Sequence, residues 1–92
     1  MGLMPLVKRV VLDVLKPHQP NVLEFASAIA DKHSGCRVMV TVIEVDEKTE
    51  TTVVGIESDD IPYAAIVDTI MSLGASVHSI DEVEVSSEPQ SV

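Results

Sequence analysis

The sequence predicts an α+β fold, a two-layer sandwich in which two helices cover one face of a four-stranded antiparallel sheet. Three observations predict it. Four short segments are rich in β-branched residues, two others carry apolar residues at helical spacing, and the six follow one another as strand, helix, strand, strand, helix, strand. A chain of 92 residues has material for a single core. One domain is expected over 6–85.

The first strand is read from Leu6 to Leu15, a run of Val and Leu that Lys16-Pro17-His18-Gln19-Pro20 brings to a stop. From Asn21 to His33, Val22, Phe25, Ala26, Ile29 and Ala30 recur at the spacing of one helix face. An Asn21 and Glu24 capping pair opens this helix and Gly35 closes it. Cys36 to Val45 and Glu50 to Glu57 read as a hairpin around the polar turn Asp46-Glu47-Lys48-Thr49. The second helix is expected to take Asp59 or Asp60 as its cap, Pro62 in its first turn, and Tyr63, Ile66, Val67, Ile70 and Leu73 as its apolar stripe, with Gly74 just past its end. Val77 to Val85 completes the set, and 86–92 reads as a frayed tail. Right-handed crossovers for both βαβ units turn this order into a ferredoxin-like βαββαβ topology with both helices on one face.

Both faces of the first two strands are apolar. Val10, Leu12 and Val14 alternate with Val7, Val11 and Leu15; Val38, Val40 and Val42 alternate with Met39, Ile43 and Val45. A lone two-layer sandwich needs only one apolar face per strand, and small proteins seldom leave large apolar patches in water. Self-association into a homo-oligomer is therefore expected to cover the second face; an apolar ligand is the alternative.

Fifteen acidic against six basic side chains give a net charge of -9, which repels phosphate backbones. Aromatic residues are only 2% of the chain, so the stacking platforms of single-strand binders are missing as well. Nucleic acid is excluded as an expected partner. Cys36 is the only cysteine, which rules out an internal disulfide, a cysteine-held cluster and any CxxC redox or metal motif. No apolar run is long enough to span a bilayer. The opening residues carry no basic, cleavable leader and no Ser or Thr at the myristoylation position, so a cytoplasmic location is expected.

Two clusters of candidate ligands emerge. On the assumption that the ends of the first and third strands and the start of the fourth share one end of the sheet, Asp13, His18, Glu57, Asp59, His78 and Asp81 gather there. Asp13, His18, His78 and Asp81 are the main nominees for a divalent cation, Zn or Mn if the imidazoles take part and Ca or Mg if they do not. Glu44, Asp46, Glu47 and Glu50 surround the hairpin, placed at the opposite end, and form a second, all-oxygen candidate. The bland readings are a solvated His18, a His78 bonded to a neighbouring carboxylate, an Asp13 paired to Arg9 or a backbone amide, and a charged turn that discourages edge pairing. No Ser or Cys sits in a nucleophile elbow, and no catalytic residue is nominated.

Leu12-Asp13-Val14-Leu15-Lys16-Pro17-His18 followed by Pro20, Glu44-Val45-Asp46 with Thr49-Glu50, and His78-Ser79-Ile80-Asp81-Glu82-Val83 resemble an archaeal family catalogued as domain of unknown function two hundred and eleven. The resemblance runs from about Leu6 to Val85. It implies a ferredoxin-like fold, a ring-like or other homo-oligomeric assembly, and no assigned activity. Three functions fit the residues: a self-associating domain that binds a small ligand or divalent cation, a metal-dependent enzyme with His18 or His78 as general base, and a structural oligomerisation module.

Overall fold

A computed structural model describes residues 5–87. The elements run β1 (Leu6–Pro17), α1 (Val22–Lys32), β2 (Arg37–Val45), β3 (Thr49–Glu57), α2 (Tyr63–Ser72) and β4 (Ser76–Ser86). The strands form one sheet in the order β2-β3-β1-β4, every neighbouring pair antiparallel. This is the ferredoxin-like α+β sandwich. Ser86, expected in a frayed tail over 86–92, instead ends β4; 88–92 of that expected tail lie outside the described residues.

Alternation along β1 decides which side chains meet the helices. Val10, Leu12, Val14 and Lys16 are buried beneath them, against Val54 and Ile56 of β3, Phe25 and Ile29 of α1, and Ile66 and Ile70 of α2. Each fully buried aliphatic or Phe side chain contributes about 1.5–3 kcal/mol of transfer free energy. That row is the principal source of stability. Cys36 packs half-buried at its margin.

The capping pair of α1 forms as the sequence implied: Glu24 N donates to Asn21 Oδ1 at 2.9 Å and Asn21 N donates to Glu24 Oε1 at 3.1 Å. The second helix departs from expectation. It starts at Tyr63 after Pro62, with no side-chain cap, because Asp60 Oδ1 instead accepts from Val7 N at 3.2 Å and ties the β3–α2 connection to β1. Gly35 and Gly74, just beyond the two helices, adopt φ of 87° and 85°, the left-handed region where a Cβ is penalised.

Among the described residues, no helix lies on the other face of the sheet. Residues opposite one another in antiparallel strands share a face. Arg9, Val11, Asp13 and Leu15 of β1 therefore stand beside Glu57, Gly55, Val53 and Thr51 of β3, and Arg37, Met39 and Thr41 of β2 continue the rows. Met39 lies over Gly55, its Cε 3.4 Å from where a Cβ would be, yet is still 51% exposed. Leu15 is exposed on this face as well, and Ile43, the extra residue of the register shift between Val42 and Glu44, is exposed too. Past that shift Val45 is opposite Glu50, in the row of Lys16, so it does not share the face of Met39 as the alternation in the sequence implied.

Candidate functional site

The antiparallel pairing of β1 with β3 sets Arg9 opposite Glu57 and Pro17 opposite Thr49. The ends of the first and third strands therefore lie at opposite ends of the sheet, and the assumption that gathered six ligands at one end fails. Glu57 and Asp59 belong with Arg9. The β2–β3 hairpin, placed at the far end from His18 on sequence grounds, in fact adjoins it.

That proximity ties His18 into a clamp. Its Nδ1 donates to Glu50 Oε2 at 3.0 Å and its Nε2 to the Glu47 carbonyl at 3.0 Å. Both partners only accept, so two donated bonds require the imidazolium. The Glu50 hydrogen bond, then the Glu47 carbonyl, raise the His18 pKa above its ordinary 6.5. The hydrogen bonds from His18 and then Lys16 lower that of Glu50. An imidazolium has no lone pair for a metal, so His18 as placed is a latch between the β1–α1 loop and the hairpin.

Lys16 completes the clamp and was read on sequence grounds only as part of a loop. Its Nζ donates to the carbonyls of Pro17 at 2.7 Å and Pro20 at 2.6 Å, pairs with Glu50 Oε1 at 3.1 Å, and lies 5.8 Å from the Phe25 ring centroid. Its place two residues after Val14 in a period-two buried row was the signal.

Asp13 and His78 are brought together. Both line an open cavity of about 330 Å³ on the helix-free face, with Leu15, Thr51 and Ser76 completing the wall. Asp13 is opposite Ser79 while Val14 is opposite Val77, so the register shift leaves His78 as an extra residue in β4. Bulges of this kind re-aim side chains and recur beside functional sites. No side-chain hydrogen bond or ion pair engages Asp13 or His78 among the described residues; Arg9 pairs instead with Glu57, at 3.5 Å, and with Glu82. Asp81 is the extra residue of the next register shift and accepts from Ser79 Oγ at 2.7 Å.

Of the second nominated set, Glu50 belongs to the clamp. Glu44, Asp46 and Glu47 are exposed, with Asp46 N bonded to the Thr49 carbonyl across the turn at 2.8 Å. Among the described residues no three His, Cys, Asp or Glu side chains are grouped to hold a metal ion. Asp13 and His78 supply two donors, half of a tetrahedral sphere. Thr51 and Ser76 had no signal in the sequence, because only strand register brings them to the cavity.

Fold and cavity together define a small ferredoxin-like domain with a pocket that holds Asp13 and His78 on a bare, partly apolar sheet face. Residues 8–88 match the family DUF211, described as "Uncharacterized ArCR", and the chain belongs to it. It is also 40% identical over 77 residues to the uncharacterized protein MJ0319 of Methanocaldococcus jannaschii, a match that covers 84% of this chain and 79% of that protein.

Proposed function

We propose that this chain is a non-enzymatic, self-associating domain that binds a divalent cation, or a small ligand carrying one, in the Asp13–His78 cavity. The observation that supports the reading is the pairing of an unengaged carboxylate and an unengaged imidazole in one cavity on the face that no helix covers. A mixed nitrogen and oxygen pair favours Zn or Mn over Ca or Mg. Two donors do not hold such an ion tightly. A second copy stacked on the same apolar face supplies the missing donors and covers Leu15 and Met39, and a two-fold axis through the site turns two donors into four.

Native mass spectrometry before and after chelation reads subunit number and bound metal together. An oligomer with stoichiometric Zn or Mn that is lost in Asp13→Asn and His78→Ala is the expected result. A monomer, or an oligomer that takes up neither ion when supplied with it, sinks the proposal.

A further inference from the structure

At the opposite end of β1 lies a larger cavity, of about 460 Å³, whose charged wall has nothing to do with the Asp13–His78 site. Its wall includes Lys8, and the Lys8 ammonium nitrogen is closed off from solvent without a hydrogen-bond partner. An unpaired ammonium removed from water costs several kcal/mol. Lys8 is the extra residue at a register shift, since Val7 is opposite Val85 and Arg9 is opposite Glu84. As at His78, a bulge presents a polar side chain at a cavity.

The remaining charges around the cavity divide into engaged and unengaged groups. Arg9 and Arg37 share Glu57, at 3.5 and 3.6 Å, and Arg9 also holds Glu82. Asp59 and Glu84, both exposed on the wall, have no side-chain partner among the described residues. The free groups are thus one cation and two carboxylates. A simple anion meets those two carboxylates and a chain of net charge -9. A simple cation meets Lys8 beside two arginines. A ligand that carries both signs satisfies both sets.

We propose that this cavity binds a small zwitterion of the α-amino acid class, its carboxylate taken by the Lys8 ammonium and its amino group by Asp59 and Glu84. The volume lies in the range of small-ligand sites and leaves room for a side chain. The flexible lysine stem lets the ammonium swing from its closed position to the ligand, which exchanges an unpaired buried charge for a charge-assisted hydrogen bond.

Calorimetric titration of the full chain with each of the standard α-amino acids, at low salt, tests this. At least one is expected to bind, with its deaminated and decarboxylated analogues about tenfold weaker or worse, since the first sets its carboxylate beside two uncompensated carboxylates and the second leaves the buried Lys8 ammonium unpaired. Lys8→Met is expected to abolish binding and Glu84→Gln to weaken it several-fold, while metal uptake in Asp13→Asn and His78→Ala is lost independently. If Lys8→Met does not fold, the exposed pair Asp59→Asn and Glu84→Gln decides. No heat with any amino acid, equal affinity for the carboxylate-only analogue, or binding that survives loss of these charges overturns the proposal.

Discussion

Lys16 and Lys8 stand at the two ends of β1, and their surroundings are opposite in kind. Lys16 is fully buried and satisfied by two carbonyls, a carboxylate and an aromatic face. The Lys8 nitrogen is equally shut off from water and has none of these. Burial alone therefore does not show whether the fold satisfies a charge; the partners do. At the Lys16 end the chain has closed its own electrostatics, with β1, the loop before α1 and the hairpin held as one unit. At the Lys8 end, and in the Asp13–His78 cavity, polar groups are left unsatisfied on a rigid sheet, which is the condition for binding something else.

The sharpest way to break the comparison is Lys16→Met. It keeps the volume but takes their partner from Glu50 Oε1 and two carbonyls, and about 3 kcal/mol of stability is expected to go, as when one member of a buried pair is removed. Thermal unfolding should show a fall in Tm of more than about 10 °C for a domain of this size. Asn21→Ala, at the same end, removes the helix cap and is expected to cost about 1 kcal/mol in urea unfolding.

Next in size is a pH dependence confined to the clamp. The raised folded pKa of His18 means that its contribution is complete below 6.5 and fades as pH climbs through the folded value. The lowered folded pKa of Glu50 means that its contribution is complete above 4.5 and fades as pH falls through the folded value. The clamp is firmest between those two values. The Tm difference between the native chain and His18→Gln should therefore be largest within that window and shrink above it; a flat difference across pH counts against the imidazolium.

Lys8→Met is the smallest expected loss. With no partner to orphan, replacing the ammonium by an apolar group should cost no stability, and a gain is expected because an unpaired buried charge is removed. A loss as large as that of Lys16→Met, measured in the same urea series, would erase the contrast between the two ends.

The element order, the Asn21–Glu24 cap, the glycines past each helix and the buried row of Val10, Leu12 and Val14 were all legible in the sequence. Each depends on local periodicity or on backbone preference within a few residues. The apolar second face was legible for the same reason as far as Met39, which is exposed there, but the register shift after Val42 takes Val45 off that face. The ligand clusters were not. Asp59 and Asp60 looked like helix caps, but a contact with Val7, 53 positions away in the chain, outcompeted capping for Asp60.

Side-chain type and spacing alone determined that the chain makes one ferredoxin-like layer pair with too much apolar surface for one face. Tertiary structure decided which polar residues meet, because strand direction sends the ends of β1 and β3 apart and one-residue bulges at Lys8 and His78 set register. A period-two pattern carries no record of where such a residue is inserted, and a single insertion changes every partner beyond it.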